Sequence, residues 1–237
     1  MIYTRPGKNS AIQEMARAKQ MATAISKKQS TPRLSPEDRE DQIVQKAIRY
    51  FATNGFSAGT RDLVKEIGVT QPLLYRYFPN KEALVNRVFE EVYLSRWNPE
   101  WEEMLRDRES PLRNRMYMFY KSYSKTILKR EWIRIFVLAG LTREGINQKY
   151  LDRLREKVFD QVLCALRDEY GLSLPTAQQY EDEIEMIWGL HASIFYLGMR
   201  KWVYGMQIPR NMDRTIEQKI DMFLDGAQAT MRRIRQS

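Results

Sequence analysis

The sequence predicts an all-α protein, with a small unit of three helices near the N-terminus and a helical bundle behind it, about nine helices in total. Apolar residues recur at three- and four-residue intervals along most of the chain, the spacing that gives a helix one buried face. From about residue 100 onward no segment alternates apolar and polar residues as a half-buried strand would. Glycine and proline fall between the periodic segments, where helices start and stop.

Taken in order, residues 1–34 read as a basic, mobile arm, rich in Ala, Lys, Gln and Ser and poor in large apolar residues. Ser35-Pro36-Glu37-Asp38 is a helix start, with Ser35 as cap and Pro36 in the first turn. Ile43, Val44, Ala47, Ile48 and Phe51 form the buried stripe that follows, and Gly55 ends the helix. Thr60 to Ile67 reads as a second helix capped by Thr60, and Gly68 supplies a sharp turn. Thr70 caps a third, running through Phe78. After Pro79-Asn80 a longer helix runs from Lys81 to about Trp97, where Asn98-Pro99 stops it. Further helices are expected over Pro111 to Arg130, Glu131 to Leu141, Tyr150 to Tyr170, about Ala177 to Tyr204, and Arg214 to Arg235. The domain reading is an arm over 1–34, a helix-turn-helix unit over 35–80, and a bundle over 81–237 in which 81–97 is the linking helix.

Composition narrows the function. Hydrophobic residues make up 43% of the 237 and charged residues 29%, an ordinary globular balance. One cysteine excludes an internal disulfide and suits a reducing cytoplasm. No uncharged apolar run is long enough to cross a membrane. Of the net charge of +9, residues 1–36 carry +6, from seven basic residues against Glu14. Such a block either meets nucleic acid or an anionic surface, or is a solvated tail.

Residues 60–78, TRDLVKEIGVTQPLLYRYF, have helix-turn-helix spacing. Leu63, Ile67, Val69, Leu74 and Phe78 face inward and hold the two helices at a steep angle, so that the second can enter a major groove. Gln71, Pro72, Leu73, Tyr75 and Arg76 are left outside. Gln71 suits an adenine edge, Arg61 or Arg76 a guanine edge, and Pro72 or Leu73 a thymine methyl. Thr60, Thr70, Tyr75, Tyr77 and Lys81 suit phosphate oxygens, which position a protein without reading sequence.

From Ile43 to Leu84 the chain resembles the DNA-binding domain of the TetR family of repressors. The likeness rests on Ile43, Ala47, Phe51, Gly55-Phe56, Thr60-Arg61, Ile67-Gly68-Val69 and above all the run LYRYFPNKEAL at 74–84. It implies that Gln71 to Tyr77 is the recognition helix, that Thr60, Tyr75, Tyr77 and Lys81 meet the DNA backbone, and that Arg61 reaches a base. Val64 and Ile67 stand where the family prefers Ala, which affects the fine angle between the helices. The resemblance further implies a repressor that dimerises and binds a small molecule through its C-terminal bundle.

The bundle adds hints of its own. Between Ile184 and Trp202 one stripe is Ile184, Trp188, His191, Phe195, Gly198, Trp202, and a second is Ile187, Leu190, Ile194, Leu197. A helix apolar on two faces must bury both, against a core or cavity and against a twin subunit. Tyr120, Tyr123, Trp132, Phe136, Trp188, His191 and Phe195 are the candidate walls of an effector cavity, and such walls suit a mostly apolar ligand. An aromatic stripe at helical spacing is more often plain core than cavity wall, and His191 reads as either a ligand contact or a hydrogen-bonded core histidine. As the single histidine it makes a poor metal ligand. The expected partners are double-stranded operator DNA, a small-molecule effector and a second copy held through the last two helices, with no membrane, metal or cofactor. No phosphate-cradling loop, nucleophile elbow or metal-spaced cluster points to an enzyme. Glu181, Asp182, Glu183 and Glu185 read as a solvated helix start. A helical adaptor for another protein would explain the bundle but not the outward Gln71 and Arg76.

Overall fold

The computed structural model describes residues 34–142 and 147–236, so the basic arm lies outside the described residues apart from Leu34. α1 covers Pro36–Asn54, α2 Thr60–Ile67 and α3 Gln71–Tyr77. α4 begins as Lys81–Phe89 and ends in a π-helical turn, Glu90–Leu94. α5 is Glu100–Arg106, α6 Leu112–Ile127 and α7 Arg130–Thr142. α8 is continuous through Gln148–Leu154, a π turn at Arg155–Phe159, and Asp160–Tyr170. α9 is Ala177–Trp202 and α10 Met212–Ile234. The described residues thus hold ten helices and no strand: a helix-turn-helix unit followed by a helical bundle. From Asp41 onward they form one compact unit.

The helix starts follow the local chemistry, with one correction. Ser35 Oγ accepts the Asp38 N–H at 3.0 Å, and Asn80 Oδ1 accepts the Ala83 N–H at 2.8 Å. Thr176 and Gln179 form a reciprocal capping box at the head of α9. α2 differs from its expected start. Its cap is Gly59, with no side-chain bond, and Thr60 is the first helical residue. α5, not expected from the pattern, forms over seven residues because Trp101 and Leu105 bury one face. α4 leaves helical geometry after Leu94 rather than at Trp97, where the π turn disrupts the register.

The bundle core is built around α9. Ile187, Leu190, Ile194 and Leu197 are buried, and so are Ile184, His191 and Gly198 on the adjoining face. The chain therefore covers most of both apolar stripes by itself, and the two-sided pattern does not in itself require a twin. Through the middle of α9 the exposed positions form a third strip, Glu185, Gly189, Ala192 and Tyr196, and towards its ends Ala177, Gln178, Glu181 and Lys201 are exposed as well.

Glu183 corrects the reading of a solvated acidic start. It is fully buried, with one oxygen accepting from Arg167 Nε at 2.8 Å and Nη2 at 2.5 Å, and the other from Arg235 Nε at 2.9 Å. This triad ties α8, α9 and the end of α10 together. A carboxylate enters a core only when paired and hydrogen-bonded in this way.

α7 and α9 approach closely at Gly198, where an added Cβ would lie 2.4 Å from Ile133 Cδ1 and 2.6 Å from its Cγ1. Gly198→Ala is expected to lower unfolding free energy by about 1–3 kcal/mol through overpacking. In an Ile133→Ala background, where both colliding carbons are gone, the same change becomes nearly neutral. Urea denaturation of the four proteins of this cycle measures the difference, and equal costs in both backgrounds would place the constraint elsewhere.

Candidate functional site

The turn between α2 and α3 is made by Gly68 at φ +74°. In this left-handed state its N–H reaches Val64 O at 3.0 Å, and the Val69 N–H reaches the same carbonyl at 3.1 Å. Lys46 on α1 donates to Ile67 O at 2.6 Å, setting a cation on the negative end of α2. Thr70 Oγ1 then caps α3 by accepting the Leu73 N–H at 3.4 Å. Beneath this frame Leu63, Ile67, Leu74 and Phe78 are buried in the same apolar core as Ile43, Ala47, Ile48 and Phe51, while Val69 is half-buried.

That packing divides α3 cleanly. Gln71, Pro72, Tyr75 and Arg76 are exposed, as are Thr70 and Arg61 beside them. Thr60, Leu73 and Tyr77 are half-buried, and Tyr77 packs onto the core. On α3, Gln71, Pro72, Tyr75 and Arg76 therefore share one solvent face, whereas Leu73, expected outside, is half-buried. Lys81 has a further task. Its ammonium donates to Phe56 O and to Ala58 O, bracing the loop that leads into α2. No sequence pattern indicates this, because the loop's carbonyls reach Lys81 only after the helices have packed.

The candidate walls in the bundle also come together. Trp132 stacks on Phe136 with ring centroids 5.0 Å apart, and Phe195 meets both, at 6.2 and 5.7 Å. His191 lies 5.7 Å from Tyr123, 5.5 Å from Phe159 and 6.0 Å from Trp188. Tyr120 reaches the group through Tyr123, at 6.4 Å. Tyr93, Tyr150 and Phe159 were not among the expected walls, yet all three belong to the cluster. The sequence singles out neither Tyr93 nor Phe159, and Tyr150 only as a helix boundary.

Most polar atoms here are satisfied. Tyr93 Oη donates to Trp132 O at 2.9 Å, and the hydroxyls of Tyr123 and Tyr150 share a bond of 2.8 Å. Two are not: Tyr120 Oη and His191 Nδ1 are buried with no hydrogen-bond partner. A buried polar atom without a partner costs about 1–3 kcal/mol and calls for an explanation. Burial also raises the Tyr120 pKa and pushes that of His191 down to about 4. Among the described residues no cluster of His, Cys, Asp or Glu is placed to hold a metal ion. No helix among them is long and apolar enough to cross a membrane.

His191 makes stability depend on pH. Its folded pKa lies below the ordinary value of 6.5, so the unfolded chain binds the proton more tightly. The neutral imidazole's contribution is complete above that value and is lost as pH falls towards about 4. Denaturant titrations should show the protein about 2 kcal/mol less stable at pH 5 than at pH 7 from this group. His191→Phe removes that component, and an unchanged pH slope in the variant would assign it to other groups.

Comparison with known proteins agrees with this geometry. The family model described as bacterial regulatory proteins, tetR family, matches residues 43–88, from α1 into α4. The HTH-type transcriptional regulator EthR of Mycolicibacterium smegmatis is 29% identical over 113 residues, 46% of this chain and 51% of that protein. The HTH-type transcriptional repressor KstR2 of the same organism is 30% identical over 89 residues, 37% of this chain and 43% of that one. The chain thus spans about half the length of these relatives. In fold the likeness runs further. A tetR-family transcriptional regulator from Streptomyces coelicolor aligns over 86% of this chain and 90% of its own, with a TM-score of 0.55 at 18% identity. A TetR-like regulator from Rhodococcus sp. RHA1 aligns over 82% of this chain and 100% of its own, with a TM-score of 0.58 at 16% identity. Residues 43–88, which include the exposed α3 and the glycine turn, thus match the model of the tetR family of bacterial regulatory proteins, and the chain as a whole shares the fold of solved TetR-family regulators.

Proposed function

We propose that the protein is a ligand-responsive transcription repressor of the cytoplasm. It binds a palindromic operator as a dimer through residues 35–80 and is released when a small, mostly apolar molecule enters the bundle formed by residues 81–237. The observation that carries this reading is the exposed face of α3. Gln71, Pro72, Tyr75 and Arg76 stand in solvent on a helix braced from behind. Side chains of this kind can read base edges, with Thr60, Thr70, Tyr77 and Lys81 near enough in sequence to serve phosphates. The relatives' printed names, a transcriptional regulator and a transcriptional repressor, point the same way.

Dimerisation through α9 and α10 is supported by what those helices leave uncovered. Tyr196 is 51% exposed and Met222 69%. Gly189, Ala192, Gly226 and Ala229 are exposed beside them, and a Cβ on either glycine would meet nothing within 4 Å. Small residues flanked by exposed apolar ones let two helix pairs approach closely. A two-fold dimer also matches a two-fold operator. For the effector, the support is an aromatic interior with two unpartnered polar atoms, Tyr120 Oη and His191 Nδ1, which offer handles to a mostly apolar ligand.

The test is selection of bound duplexes from a random pool at two salt concentrations, with Gln71→Ala/Arg76→Ala in parallel. The expected product is a palindrome whose half-sites lie about one helical turn, roughly 10 base pairs, or a multiple apart. Affinity should fall steeply with salt. The variant should lose about 1–3 kcal/mol for each base contact removed. Weak binding without sequence preference, identical in the variant, would overturn the reading in favour of a helical interaction module.

A further inference from the structure

We propose that Arg134 is a positioning residue that ties the helix-turn-helix unit to the C-terminal end of α9 and transmits movement between them. The inference deepens the reading above by naming how the two parts of the chain communicate. Its physical core does not depend on DNA.

Arg134 lies on α7, two residues from Trp132 and two from Phe136. Two positions amount to about 200° around a helix, so the aromatic pair faces one way and Arg134 the other. Trp132 and Phe136 stack with each other inside the aromatic cluster and meet Phe195 of α9. On the opposite side the guanidinium reaches the last turn of α1. Nε donates to Ala52 O, and Nη2 donates to Thr53 O at 3.4 Å. The remaining arm, Nη1, donates to Trp202 O, the last residue of α9, at 3.2 Å. One cation thus occupies the carbonyl ends of two helices, where orphan acceptors and negative dipole ends coincide. A guanidinium can do this because its donors form a rigid fork, whereas a lysine ammonium serves one point.

Neighbouring contacts fix both ends of the tie. Trp202 Nε1 donates to Leu128 O at 2.8 Å, seating the end of α9 beside the start of α7. Arg130 Nη2 donates to Thr53 Oγ1 at 3.1 Å, a second contact from α7 to α1. Along α9 Phe195, Gly198 and Trp202 share one face, so a displacement at the aromatic cluster is carried rigidly to the carbonyl that Arg134 holds. The α1 end of the tie belongs to the helix on which α2 and α3 pack. When α9 shifts, the fork must release Trp202 O or pull on Ala52 and Thr53.

The experiment is native-state hydrogen exchange on the full chain, read at amides near both ends of the tie, Gly55 and Phe56 on one side and Val203 and Tyr204 on the other. Arg134→Gln should speed exchange at both ends at least tenfold. Arg134→Lys, which keeps the charge and protects against a folding failure, should leave one end protected and release the other. Trp202→Phe removes the indole donor that seats the end of α9 on Leu128 O and leaves the Arg134 side chain itself intact. It should speed exchange at Gly55 and Phe56 in the native background and leave them unchanged when added to Arg134→Lys or Arg134→Gln. The proposal is overturned if the Arg134 variants alter neither end or only the same single end, or if Trp202→Phe reaches α1 equally without the guanidinium. Repeating the measurement with a duplex selected as above separates this idea from the regulator reading. If the native protein selects no duplex, that reading fails, and the exchange comparison still decides the tie.

Discussion

Much of this molecule depends on the close approach of α7 to α9 at Gly198. With no side chain at that position, the Ile133 side chain fits directly against the α9 backbone. That proximity stacks Trp132 and Phe136 beside Phe195, and it brings the start of α7 under the end of α9 so that Trp202 can bond Leu128 O. A larger residue at position 198 would separate the aromatic interior from the contacts that lead to α1. A glycine inside a helix costs about 1 kcal/mol in propensity, which this packing offsets.

Polar chemistry in the interior is unevenly satisfied. Glu183 sits between Arg167 and Arg235, and Arg113 grips Asp221 and Glu217 on the surface between α6 and α10, while Arg115 Nε and Arg235 Nη2 are buried without a partner. The neutral groups inside the aromatic cluster are a mixture. Tyr93, Tyr123 and Tyr150 have partners, while Tyr120 and His191 keep one atom each without. A purely structural core gains nothing from such atoms, because an apolar residue of similar shape would be as stable or more so. Both lie among aromatic rings, His191 beside Tyr123, Phe159 and Trp188 and Tyr120 beside Phe119 and Tyr123.

The helix-turn-helix unit shows how lysines can serve geometry. Lys46 holds the last carbonyl of α2, and Lys81 holds the loop before it, so the frame that presents α3 is fastened at both ends of α2. Lys81 occupies a position that the family resemblance assigns to the DNA backbone. Its bonds to Phe56 and Ala58 tie that position to the orientation of the helices as well.

What the sequence determined by itself is the local and periodic part. The glycines at 55 and 68, the caps Ser35 and Thr70, and the apolar stripes of α1 and α9 each act within one helix or one turn. Their physical content is complete within a few residues, so the all-α class and the exposed face of α3 were legible. The fate of Glu183 was not, since an acid in a polar run at a helix start looks solvated until two arginines from other helices close over it. The formation of α5 was hidden likewise, because seven residues make a stable helix only when tertiary burial of Trp101 and Leu105 compensates for its length. Arg134 is the sharpest case. Its acceptors belong to α1 and α9, 82 and 68 residues away along the chain. Such carbonyls have no signature in sequence, because every helix ends in unpaired ones and only folding decides which side chain meets them.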